Sequence, residues 1–163
     1  PRWRSQRVFE QKIGRSDLLR ACFEYIEPLF NIDEINAQKL QSVSIPPSRL
    51  LHLGHWPESH FQKLTASVEK AGLLQFSSDG WQLTTTGAVE AMNVTRQHRL
   101  WEIYLLTQTD LDPRLVDRGA DGIEHVLDAE LLARLENLLS AESGGGIPPS
   151  PHLIAGAADS HST

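Results

Sequence analysis

His98 and Glu102 stand four residues apart in TRQHRLWEIYLL, and on a helix that spacing puts both side chains on one face. A second group, Asp117, Asp121, Glu124 and His125 in VDRGADGIEHVL, runs i, i+4, i+7 and i+8, again a single helical stripe. Together they offer six oxygen and nitrogen donors in two short clusters with no cysteine among them. Three carboxylates and an imidazole facing another His/Glu pair repel one another unless a cation lies between them. Hard oxygen donors with imidazole and no thiolate suit Mn²⁺ or Fe²⁺ better than a structural zinc, and Zn²⁺ stays compatible with the donor set. The chemistry expected is divalent metal binding.

Those clusters need helices to hold them. Residues 16–30 carry apolar side chains at 18, 19, 22, 23 and 26, a helical period that Pro28 limits. Ser16 or Asp17 is expected as its N-cap. A second helix is expected over about 33–42. Pro46-Pro47 then breaks the chain, and Ser48 is expected to cap a short helix through SRLLHLGHW. Pro57 breaks it again, before a helix in ESHFQKLTASVEKAG that Gly72 stops. Leu73–Phe76 and Trp81–Leu83 read as short strands around Ser77-Ser78-Asp79-Gly80, a hairpin signal. A long helix from about Thr86 to Thr107 carries His98 and Glu102. Asp112 and Pro113 open the next, which carries the second cluster, and AELLARLENLL forms a last amphipathic helix.

Helix, turn, helix and hairpin in that order describe a winged helix. The expected fold is therefore mainly α: a winged helix-turn-helix with a small β-hairpin wing, followed by a helical metal-binding and dimerisation domain. The expected divisions are a basic stem over 1–16, the winged helix over 17–86, the metal-binding domain over 87–140 and a Gly/Ser/Pro-rich mobile tail over 141–163.

With 163 residues, 40% hydrophobic and 22% charged, the chain is globular and holds one ordinary domain or two small ones. The only cysteine, Cys22, excludes an internal disulfide, lies within an apolar helical stripe and points to a reducing compartment. No apolar run reaches the roughly 18–20 residues that span a bilayer. The first residue is Pro1 rather than Met, nothing near it resembles a secretory signal, and the sequence reads as a piece of something longer. Arg2, Arg4, Arg7, Lys12, Arg15 and Arg20 face only Glu10 and Asp17 in the first twenty residues, a net +4. The overall −6 leaves −10 for the remainder. A basic, tryptophan-bearing stem suits either the cytoplasmic end of a membrane helix or a solvated terminus.

Sequence-specific DNA binding is disfavoured. The helix that would read DNA offers His60, Gln62 and Lys63 but also Glu58 and Glu69, the wing turn has no basic residue, and the acidic body repels phosphate. His52, His55 and His60 bracket Pro57 without sharing a helical face, and read as surface histidines. No nucleophile or oxyanion site points to an enzyme.

Residues 86–139 resemble the metal-binding and dimerisation region of the iron-dependent repressor family, the diphtheria toxin repressor and manganese transport regulator type. HRLWEIYL and IEHVLDAELLARLENLL carry the resemblance, at the family's own separation; residues 48–85 resemble its winged helix more loosely. The resemblance implies metal ligation by His98, Glu102, Glu124 and His125. Asp121 takes a position that is cysteine in iron-responsive members and glutamate in manganese-responsive ones, and Asp117 one that is often histidine. Asp17 aligns with an acidic ligand of the manganese type, whereas Arg20 stands where that type has a second acid, a departure that sets a cation against the metal. The family also implies a homodimer. RQHRLWEIYL followed by VDR-x-AD-x-IEHVL is similar to the version of this domain fused to the C-terminus of metal-importing ABC transporter permeases. That version would place the chain on the cytoplasmic face of the inner membrane, as the metal sensor of the permease that precedes it. The alternative is a free-standing Mn/Fe-dependent repressor that binds operator DNA.

Overall fold

The computed structural model describes residues 2–108 and 146–150, with the isolated positions 133 and 137. Five α-helices and one hairpin follow each other among these residues: α1 (Arg2–Ile26), α2 (Ala37–Gln41), α3 (Pro47–Gly54), α4 (Glu58–Lys70), β1 (Leu74–Ser77), β2 (Gly80–Leu83) and α5 (Thr85–Gln108). The chain falls into two compact units, Pro1–Val94 and Thr95–Thr163, and the division lies within α5.

In the first unit the apolar stripe read from the sequence is the core. Leu18, Leu19, Cys22, Phe23 and Ile26 of α1 are all buried, with Leu40, Ile45, Leu50, Phe61, Val68, Leu74 and Leu83 from the following elements. Burial of this many aliphatic side chains, each stabilising by about 1.5–3 kcal/mol, holds α1, α3 and α4 together. Cys22 lies in that core, where burial pushes its thiol up to about 12.

α1 begins some fourteen residues earlier than the cap signal implies. Neither Ser16 nor Asp17 is an N-cap; both lie in the helix interior. The reason is compositional: Arg, Gln, Glu and Lys are good helix formers, and no proline interrupts 2–26. Gly14, a poor residue for a helix interior, sits where a Cβ would stand 3.0 Å from Leu64 Cδ1, so its place is set by the close approach of α4. The helix expected over 33–42 is shorter, a 3₁₀ turn over Ile32–Glu34 and then α2, whose cap is Asn36 accepting from Lys39 N at 3.0 Å. Ser48 caps nothing: Pro46 takes the N-cap position of α3 and Pro47 its first turn. Pro57 likewise occupies the N-cap position of α4.

The hairpin pairs Leu74 with Leu83 through to Ser77 with Gly80, leaving a two-residue Ser78-Asp79 turn. A third chain segment joins it. Ile45 bridges Trp81, with Ile45 N donating to Trp81 O at 2.8 Å and Trp81 N donating to Ile45 O at 2.9 Å. Gly80 has φ +147, and a Cβ there would lie 2.3 Å from Ile45 O, so this position requires glycine for both conformation and space. Thr84 then ties three elements: its hydroxyl donates to Gly72 O at 2.6 Å and accepts from Gly87 N at 3.0 Å, capping α5. The order α3, short connection, α4, hairpin and long helix is a winged helix-turn-helix.

Candidate metal centre

α5 carries a buried stripe of polar side chains where a soluble helix normally buries aliphatics. Thr95, His98, Arg99 and Glu102 follow the spacing i, i+3, i+4 and i+7, and all four are at most 3% exposed. Lys, Arg, Asp and Glu are almost never fully buried unless paired. Among the described residues His98 Nε2 lies 3.2 Å from Glu102 Oε1. The predicted helical juxtaposition is therefore present, and the pair is buried rather than laid on a solvated face.

A divalent cation fits the chemistry of this stripe. An imidazole nitrogen and a carboxylate oxygen, both removed from water, are held within reach of a common ion. One turn earlier, the hydroxyl oxygen of Thr95, a group able to face a cation, is buried without a hydrogen-bond partner among the described residues. Buried polar atoms left in this state cost about 1–3 kcal/mol each, and they are most common where an ion or water belongs. Trp101 also stacks edge-on against Tyr104 with ring centroids 5.3 Å apart.

Among the described residues no third carboxylate, imidazole or thiol joins His98 and Glu102. The second predicted cluster, Asp117, Asp121, Glu124 and His125, lies outside the described residues. Asp17 stands in α1, where Arg20 Nη2 approaches its Oδ1 to 3.7 Å across one helical turn. The cation that the sequence sets against a ligand role is thus paired with it.

Sequence reasoning passes over Arg96, Arg99 and Thr95. Arg99 Nη1 donates to Pro148 O at 2.9 Å in a buried contact, and Arg96 Nε donates to Gly146 O at 3.3 Å. Both acceptors belong to the Gly/Ser/Pro-rich segment expected to be mobile. The signal that could have found these residues is the heptad-like repeat of 95, 98, 99 and 102, ordinarily searched for apolar residues alone.

The remaining candidates are at the surface. His52, His55 and His60 are exposed, as expected. Gln62 and Lys63 are exposed on α4 as well, but His60 and Lys63 line a groove with Arg7, Glu10 and Gln11 of α1. The N-terminal half of α1 therefore flanks two of the three side chains suited to reading DNA. No helix among the described residues is long and apolar enough to cross a membrane.

Residues 84–142 match the family model described as iron dependent repressor, metal binding and dimerisation domain. Over 70 residues the chain is 41% identical to a probable metal transport system membrane protein of Chlamydia trachomatis serovar D, covering 43% of this chain and only 16% of that protein. The fold is similar to that of the manganese regulator SloR, with TM-score 0.64 at 18% identity, and of ScaR with bound Zn²⁺, with TM-score 0.59 at 21% identity. Each covers 83% of this chain and 59% of the solved chain. The resemblance to iron-dependent repressors is thereby borne out: residues 84–142 match the family's metal-binding and dimerisation model, and a winged helix precedes them.

Proposed function

We propose that this chain is the metal-sensing regulatory domain of a metal ABC importer permease, lying on the cytoplasmic face of the inner membrane and taking Mn²⁺ or Fe²⁺, with Zn²⁺ as a competitor. The observation that carries the reading is the buried His98–Glu102 pair, 3.2 Å apart on α5 within the matched metal-binding segment. His98 and Glu102 are ligands in this reading together with Asp121, Glu124 and His125, with Asp117 as an auxiliary carboxylate. Asp17 is a conditional ligand, because Arg20 must release it first.

A bound divalent ion supplies the positive charge that lets buried carboxylates from different segments share one site. The chain's own contribution is geometric. α5 holds the imidazole and carboxylate on one face before any ion arrives, which lowers the ordering cost of binding. Sensing then requires that the ion bind one packing of these segments more tightly than another, because equal affinity for both shifts nothing. The chain acts as a homodimer through the segment matched by the family model, and its role is regulation rather than catalysis.

The membrane-protein relative, of which this chain spans a small part, and the basic run along α1 support the permease reading over a free-standing repressor. So does the groove in which α1 flanks His60 and Lys63. The repressor reading keeps the winged helix and the exposed face of Gln62 as its support. Calorimetric titration of the apo chain with MnCl₂ tests the metal centre. Binding that His98→Ala and His125→Ala each abolish supports it; equal affinity in all three chains rejects the ligand assignment. Gel-shift titration separates the two contexts, since a repressor gains DNA affinity with metal and loses it steeply with salt.

A further inference from the structure

We infer that Thr95 sets the metal preference of the centre: its buried hydroxyl holds a water ligand of a six-coordinate ion such as Mn²⁺ and contributes little to a four-coordinate ion such as Zn²⁺. This role for Thr95 rests on the metal reading given above.

On stability grounds alone threonine is a poor choice here. Thr95 lies within α5 and is 0% exposed, and among the described residues its Oγ1 has no hydrogen-bond partner. Valine has nearly the same shape, gains apolar burial and leaves no polar atom unmatched. A threonine inside a helix also has a ready partner in the carbonyl one turn back. Thr65 shows the ordinary arrangement: 3% exposed in α4, it donates to Phe61 O at 2.9 Å and to Gln62 O at 3.2 Å. Thr95 makes no equivalent bond to Ala91 O. Its hydroxyl is withheld from the helix's own carbonyls and kept unmatched in the interior, the state in which buried polar atoms mark an ion or a water.

The position of that hydroxyl points to its use. Thr95, His98 and Glu102 follow i, i+3 and i+7, one face of α5, and all three are buried. His98 Nε2 lies 3.2 Å from Glu102 Oε1, toward the C-terminal side of the stripe, and the short Thr95 side chain stands one turn to the other side. From there a hydroxyl meets an ion through a water rather than by direct ligation. Water on a divalent cation is polarised and donates strongly, and the threonine oxygen accepts from it without adding charge to a site already rich in carboxylates. Trp101 Nε1, also buried on α5 without a partner among the described residues, is a donor only and cannot serve in this way. Manganese keeps an octahedral, oxygen-rich shell in which water has a place, whereas zinc closes its shell at four. An acceptor for bound water therefore favours the ion that retains water.

Three full-length chains test the role of Thr95: the unaltered protein, Thr95→Val and Thr95→Ser. Each is titrated with MnCl₂ and with ZnCl₂ by calorimetry, and each is melted in chelator. Thr95→Val should bind manganese about tenfold more weakly, the loss expected when a partner of a metal's outer shell is removed, and zinc within about twofold of the unaltered chain. Its melting temperature in chelator should equal or exceed that of the unaltered chain, so that the lost affinity cannot be ascribed to a damaged fold. Thr95→Ser, which keeps the hydroxyl, should recover most of the manganese affinity. Electron spin-echo spectra of bound Mn²⁺ in D₂O should show one water fewer in Thr95→Val. Equal manganese affinity in Thr95→Val and the unaltered chain, or serine binding no better than valine, overturns the role of Thr95 while leaving the metal centre standing. Equal losses for manganese and zinc overturn it as well, since they report packing and not preference. Absence of manganese binding in the unaltered chain overturns the metal reading and this role with it. If Thr95→Val fails to fold, Thr95→Ala takes its place in the comparison with Thr95→Ser.

Discussion

Replacing Glu102 by leucine should destabilise the second unit even with no metal present. The Glu102 side chain is 4% exposed and that of His98 2%, so their 3.2 Å contact lies where water screens little. Leucine matches the volume but leaves His98 Nε2 and the neighbouring buried Arg99 without this carboxylate. Breaking one partner of a buried pair costs about 3–5 kcal/mol. For a chain of this size each kcal/mol lowers the melting temperature by roughly 2–4 °C, so the loss should be about 6–20 °C. Glutamine at the same position keeps an oxygen for Nε2 and should cost roughly half as much. The double variant His98→Leu/Glu102→Leu should be less destabilised than the sum of the singles, because the two singles both count the loss of the same His98–Glu102 contact. Urea denaturation in chelator, followed by tryptophan fluorescence, reports the site through Trp101, which is buried one residue away. A cost under about 1 kcal/mol for Glu102→Leu would mean that the carboxylate is hydrated and that the stripe is open to water.

Thr95→Val should be neutral or stabilising by up to about 1 kcal/mol in chelator, because it replaces an unpartnered buried hydroxyl by a methyl group; a loss above that in thermal melts would reveal a hydrogen bond. Gly80→Ala should cost at least about 1–3 kcal/mol and loosen the Ile45–Trp81 bridge, since both φ +147 and the 2.3 Å approach to Ile45 O resist a Cβ; unchanged exchange protection of the Trp81 amide would contradict this. Cys22 should resist iodoacetamide at pH 8 in the folded chain, its thiolate being suppressed by burial. Because the folded thiol keeps its proton up to about 12 whereas the unfolded one ionises near 9, Cys22 should make stability fall with pH across that window, and Cys22→Ala should flatten the slope.

What the sequence discloses about the fold follows from periodicity. The stripe at 18, 19, 22, 23 and 26 is readable because buried aliphatics repeat at 3.6 residues, and the same period locates α4 and α5. The start of α1 is not readable, because Ser16 and Asp17 look like caps only if the residues before them leave the helix. The Ile45 bridge is a single residue before two prolines and has no pattern to display. Asp79-Gly80 announces a turn, but the need for glycine comes from Ile45, distant in sequence. At the site, spacing is enough to place His98 and Glu102 together. Their burial is not legible, since an i,i+4 pair serves an exposed face equally well. Arg99 escapes notice because a mid-helix arginine is ordinarily solvated; its burial and its contact with Pro148 O reveal that it is not.

Metal sensing by this chain requires that the buried imidazole and carboxylate of α5 belong to one divalent metal centre. Crystals of the apo chain soaked in MnCl₂, with anomalous difference density measured at the manganese edge, test this most directly. The expected result is a single strong peak within coordinating distance of both His98 Nε2 and a Glu102 oxygen, absent from crystals of Glu102→Gln. Fully occupied manganese elsewhere, with the His98–Glu102 contact still closed at its 3.2 Å separation, would contradict it.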